Sequence, residues 1–243
     1  MIVLDGSRLT LDELERAASH GEPVTISPDA VAAMQRSRMV VEKVAAGDEA
    51  AYAVNTGVGL LADVRVSMED LDQLQRNVVR SHACGIGPPL ARAEVRGIML
   101  IRANVLAKGF SGIRPVVAER LCDLLNRGVT PVVPSQGSVG ASGDLAPLAH
   151  MAQVLMGEGE AELGGRRLSG REALARARVG PIALESKEGI SLVNGTQAML
   201  AVGSLQLLEA ERLADAADLV CAMTVDGLRG TPRAFDPRIH ATR

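Results

Sequence analysis

Residues 196–226 constrain the fold more than any other stretch of this chain. They carry no Pro, and their apolar positions surround most of a helical circumference, so they read as one helix of about 30 residues, roughly 45 Å long. Glu209, Glu211, Arg212, Asp215 and Asp218 interrupt the run. A membrane span does not tolerate five charges, so the segment is expected to sit inside a helical bundle. Composition agrees. The chain has 243 residues, 47% of them hydrophobic but only 1% aromatic, so a core must come from Ala, Leu, Val, Ile and Met in close helix packing.

Local signals extend the helical reading. Thr10 and Glu13 form a capping box ahead of LDELERAAS, and Ser27-Pro28 opens a helix that Gly47 closes. Ser67 to Asp70 starts another that runs toward His82; further helices span roughly 91–108, 115–127 and 145–156. AELGGRRL, residues 161–168, reads as a hairpin turning on Gly164-Gly165, and Ser169 caps a short helix after it. The fold class is mainly α, a small N-terminal region plus a long-helix bundle with a short β-hairpin. A soft boundary near Gly109–Pro115 divides it into residues 1–110 and 111–243.

The net charge of −3 shows no clustered basic footprint, so nucleic acid is not the expected partner. Cys84, Cys122 and Cys221 are widely spaced and in no metal or disulfide pattern; they read as reduced thiols of a cytoplasmic protein, with no metal expected. The N-terminus, MIVLDGSRLT, is not a secretory signal, and no membrane contact is expected.

The chemistry concentrates in GSVGASGDLAPLAH, residues 137–150, where glycines stand directly before an apolar helix. Phosphate binding fails on context, because no Lys-Ser/Thr follows the last glycine, no βαβ pattern surrounds it, and Asp144 would repel the anion. A nucleophilic serine elbow fails because Gly143 directly follows Ser142. A third chemistry uses the backbone. The Gly143 nitrogen can attack the Ala141 carbonyl, and the Ser142 hydroxyl can leave as water, which gives an electrophile without any added cofactor. Glycine suits the attack because it has no Cβ to obstruct it. The ordinary alternative is a Gly/Ser helix-entry loop with Asp144 as N-cap, and local sequence alone favours it.

This stretch resembles the signature of the histidine and aromatic amino acid ammonia-lyases, in which Ala-Ser-Gly forms a 4-methylidene-imidazol-5-one (MIO) group. YAVNTGVG (52–59), SHACGIG (81–87) and LVNGTQ (192–197) resemble the family's Tyr-loop, substrate-ring segment and asparagine motif. NVLAKGFSGIR (104–114) and FDPRIH (235–240) agree as well. The resemblance covers essentially the whole chain, which corresponds to the N-terminal half of the family's chains. It implies that Ala141, Ser142 and Gly143 form MIO, that Tyr52 removes the β-proton, that His82 contacts the substrate ring and that Asn194 supports MIO. The implied reaction converts L-histidine to trans-urocanate and ammonia, in a homo-oligomer that is a tetramer in the family. Tyrosine or phenylalanine ammonia-lyase, aminomutase, and an inactive assembly module stand as alternatives. Ser81-His82 favours histidine. His150, on the signature helix, reads as a hydrogen-bonded core histidine. Ala53 stands where relatives have glycine and Val58 where many have a bulky aromatic.

Overall fold

The computed structural model describes residues 1–139 and 143–242. The chain forms two compact units, Met1–Val202 and Gly203–Arg243.

In the first unit, strand β1 (Ile2–Leu4) pairs in parallel with β2 (Val24–Ile26), and α1 (Leu11–Ala18) connects them. The Thr10–Glu13 capping box closes the start of α1. Helix α2 (Pro28–Ala46) begins at the Ser27 cap and ends at Gly47. After the Tyr52 loop come α3 (Leu71–His82), β3 (Ile86–Pro89), α4 (Arg92–Ala107) and α5 (Pro115–Arg127). Gly128 ends α5 at φ 71°, a left-handed cap that glycine adopts without Cβ strain. Then follow β4 (Thr130–Pro131), β5 (Pro134–Gln136), α6 (Leu145–Leu155), the hairpin of β6 (Glu160–Leu163) and β7 (Arg166–Ser169), α7 (Gly170–Ala177) and α8 (Glu188–Val193). Strand β3 pairs antiparallel with β5, and β6 joins β4 to β7.

Helix α4 is the hub. Its segment EVRGIMLIRANVLA is largely apolar, and every residue from Val95 to Asn104 is buried, Arg96, Arg102 and Asn104 included. Both sides of Gly109–Pro115 share one core with it: Met99, Leu100 and Leu106 from α4, Leu121 and Leu124 from α5. The buried Arg96 guanidinium donates to the carbonyls of Ala17, Ala18 and Leu125 at 2.7–3.0 Å. Those carbonyls lie at the C-terminal ends of α1 and α5, where acceptors outnumber helical donors and a cation also suits the helix dipole.

Helix α9 (Gln197–Gly227) contains the boundary between the units, and α10 (Pro237–His240) follows it. Leu213, Leu219, Val220 and Met223 are exposed on α9. Among the described residues, no helix is long and apolar enough to cross a membrane, and no group of three His, Cys, Asp or Glu could hold a metal ion.

Candidate active site

Tyr52 sits on an irregular loop between α2 and α3. Asn55 ties that loop down: its side chain accepts from Ala51 N and donates to the carbonyls of Val44 and Glu49. Ser186 Oγ donates to Val54 O at 2.5 Å. Ala53, beside the tyrosine, is buried at φ 58°, in the left-handed region that favours glycine. The tyrosine ring is 58% exposed, and its hydroxyl oxygen accepts from Gly59 N at 3.4 Å.

Tyr52 and Asn194 line one cavity of about 270 Å³, together with Arg102, Ser111, Lys187 and Ser191. Asn194 is delivered by the end of α8, where the chain turns through Gly195 into α9. A Cβ on Gly195 would overlap Gln197 Oε1 and Arg102 Nη1. The turn is therefore glycine because a buried arginine packs directly beneath it.

Gly143 lies against the same turn. It adopts φ 123°, and a Cβ there would overlap the Gly195 carbonyl. The next residue, Asp144, donates its N–H to Gly195 O at 2.6 Å. Asp144 occupies the position before α6, but its carboxylate does not cap that helix. It accepts instead from Ser138 Oγ at 2.7 Å and from Met199 N at 2.8 Å. The entry-loop reading is corrected accordingly: Asp144 serves the amide-rich start of α9, which has a carboxylate available only from across the fold. Gly140, Ala141 and Ser142 lie outside the described residues, so two of the three expected MIO residues have no geometry here. Gly143 fits the group, because its seat has no room for a side chain.

His82 ends α3 and does not line the Tyr52–Asn194 cavity. Its Nδ1 faces the Val78 carbonyl at 2.7 Å. A carbonyl only accepts, so that nitrogen carries the proton and Nε2 presents a lone pair. His150 accepts from Gly85 N at 3.1 Å, the hydrogen bond expected of it.

Four charged residues of the site were not singled out from sequence. Arg102 is buried in the middle of α4, and burial pulls its pKa down to about 10. It donates to Gln197 Oε1 at 2.7 Å and to Ser191 O, and its Nε has no partner among the described residues. Lys187, half-buried at φ 70°, donates to Ser111 O at 2.8 Å, and burial lowers its pKa too. Glu188, fully buried, accepts from Arg114 Nε at 2.8 Å and Nη2 at 2.7 Å. Those bonds raise the Arg114 pKa. The sequence signals were thin: one of three arginines in a largely apolar helix, and a Lys-Glu-Gly step before Asn194.

The comparisons with known proteins point one way. A histidine ammonia-lyase from Koribacter versatilis is 57% identical over 240 residues, covering 99% of this chain and 46% of its own length. The solved histidine ammonia-lyase of Trypanosoma cruzi superposes with a TM-score of 0.92 at 35% identity, and Pantoea agglomerans phenylalanine aminomutase with 0.92 at 34%. Both matches cover 100% of this chain and 47% of the other, so the chain spans about half the length of the relatives it matches. The model of the aromatic amino acid lyases matches residues 9–243, and the chain belongs to that family.

Proposed function

We propose that the protein removes ammonia from L-histidine and releases trans-urocanate. The observation that carries this reading is the meeting of three motifs: Gly143 seated without room for a Cβ on Gly195, next to Asn194, which shares a cavity with Tyr52. The histidine preference is supported by Ser81-His82 and by the name of the 57%-identical relative. MIO, formed from Ala141, Ser142 and Gly143, would supply an electrophile that makes the substrate's amine a better leaving group.

The chain's own residues supply the rest. Tyr52 Oη takes the proton from Cβ, the Cα–N bond breaks with its electron pair leaving on nitrogen, and a Cα=Cβ double bond forms. The Gly59 N–H fixes the direction of the Tyr52 hydroxyl. Asn194 is held between Arg102, which grips Ser191 and Gln197 on either side of it, and the Gly195–Asp144 bond. His82 offers Nε2 to the substrate ring.

The working form we propose is a cytoplasmic homo-oligomer, a tetramer by family resemblance, acting on a small molecule without nucleic acid or membrane. Exposed Leu213, Leu219 and Met223 on α9 support association. The aminomutase reading also has support, since the two solved relatives are equally similar in shape.

Intact mass is the first test. Ring closure with dehydration removes two waters, about 36 Da. A mass low by that amount, mapped to the peptide holding 141–143, is expected; an unmodified mass would remove the electrophile from this chain. Incubation with histidine and tyrosine then separates substrates, and coumarate without urocanate would overturn the histidine assignment.

A further inference from the structure

We infer that His150 is a positioning residue for the substrate-ring segment: its neutral imidazole holds Gly85, and with it the turn after His82, against helix α6. This deepens the function proposed above, since it rests on residues 81–87 being the segment that meets the substrate.

The Gly85 N–H can only donate, so His150 Nε2 must present a lone pair and the ring proton must sit on Nδ1. The approach is close on all sides. A Cβ at Gly85 would lie 3.1 Å from His150 Nε2, 3.2 Å from Pro134 Cβ and 3.3 Å from Gln136 O. A Cβ at Gly137 would lie 2.9 Å from Ala146 Cβ and 3.1 Å from Gly85 Cα. Two glycines therefore let the ring segment and the chain after β5 meet backbone to backbone, beside the Ile86–Gln136 pairing of β3 with β5, while Ala146 and His150 of α6 pack their side chains against that meeting. Gly85 follows His82 by three residues, and α6 begins just after residues 141–143, so the imidazole adds a side-chain tie between two stretches that the proposed chemistry needs in register.

Burial of the His150 ring lowers its pKa, which favours the neutral form that the Gly85 bond requires. The elements packed on α6 bring charges of both signs. From α3 come Asp72, Arg76, Arg80 and His82, with Arg80 paired to Glu158. From α7 come Arg171, Glu172 and Arg176, the last two paired to each other, and from α8 comes Glu188, paired to Arg114. Strands β4 and β5 bring none. Protonation of His150 puts an N–H against the Gly85 N–H and ends the bond.

The test is NMR on the chain labelled with 15N-glycine and 15N-histidine. At pH 7.5 we expect the His150 proton on Nδ1, and, with exchange read as protection relative to the intrinsic rate at each pH, Gly85 protection that falls about tenfold as His150 is protonated. His150→Leu is expected to leave Gly85 fast at every pH and to move the His82 ring signals. His150→Gln, whose Oε1 can accept, is expected to restore slow exchange without the pH step. A proton on Nε2 at pH 7.5, or Gly85 exchange indifferent to His150 ionisation, overturns the inference; both are read on the wild type, so a His150→Leu chain that fails to fold does not block the answer. Turnover is not needed. An uncyclised Ala-Ser-Gly therefore sinks the proposed chemistry and leaves this inference standing, while a cyclised chain with a freely exchanging Gly85 does the reverse.

Discussion

Glu188 and Arg102 are both buried charges within a short stretch of the Asn194 turn, and the fold treats them in opposite ways. Glu188 is wrapped by ions and donors: Arg114 forks onto it, Arg38 Nη1 stands 3.9 Å away, and the amides of Arg114 and Glu185 donate to it. Among the described residues Arg102 donates to neutral acceptors, the Gln197 amide and the Ser191 carbonyl, and keeps one N–H unpaired. The pKa directions follow. Pairing with Glu188 raises that of Arg114, whereas burial alone lowers that of Arg102. A buried ion costs several kcal/mol of desolvation unless partners offset it. Glu188 is thus framework, a pin between α8 and the residues before α5. Arg102 is an incompletely paired charge lining the cavity of the proposed chemistry, and such imbalance concentrates at functional sites.

Breaking the wrapped charge should have the largest effect. Glu188→Ala leaves the Arg114 and Glu185 amides without their acceptor and Arg114 with Glu185 as its remaining carboxylate, and is expected to lose about 2–4 kcal/mol in urea unfolding. A loss under about 1 kcal/mol would mean that the network is not the pin described. Arg102→Met should separate stability from function. It removes an uncompensated guanidinium but orphans Gln197 Oε1 and Ser191 O, so the stability loss is expected to stay within about 2 kcal/mol. Urocanate formation should fall by about a hundredfold, because Asn194 sits between those two residues. Equal activity with reduced stability would return Arg102 to a purely structural role.

The same contrast explains what could be read from the chain. Features whose partners are local were legible: the Thr10–Glu13 box, the Ser27-Pro28 start, the Gly128 stop and the Gly164-Gly165 hairpin, where both glycines take positive φ. Strands β1 and β2 were missed. They are three residues each and pair in parallel across more than twenty residues, too short for a period-two pattern. At the site, motif resemblance singled out Tyr52 and Asn194, but nothing local announced that Asp144 would cap the start of α9 fifty-five residues away. Arg102 is hidden for a physical reason, since an arginine in an apolar helix carries no spacing signal.

Ala53 offers a smaller and local test. Its departure from the family's glycine was visible, and the structure shows the consequence, a Cβ held at φ 58° in a buried loop. Ala53→Gly relieves a left-handed strain of about 1–2 kcal/mol and gives part of it back through the freer unfolded chain. A net gain of up to about 1 kcal/mol is expected in thermal unfolding. A net loss would show that the methyl group packs usefully beside Tyr52.

The smallest effect is the pH dependence set by His150. Its pKa in the folded protein lies below the ordinary 6.5, because burial disfavours the charged ring. Below 6.5 the unfolded chain therefore binds more protons than the folded one, and stability rises with pH there. Above 6.5 both states are neutral at this residue and the contribution is flat. As the pH falls from 6.5 through the folded value, stability is expected to decline, and the decline ends once both states are protonated. His150→Gln has nothing to titrate, so the difference between its urea midpoint and that of the wild type should close or reverse as acid is added. A constant difference from pH 8 to pH 5 would mean that His150 ionises as freely in the fold as out of it. The Gly85 bond would then be too weak to hold the ring neutral, and the comparison of a paired with an unpaired buried charge would lose its titratable third member.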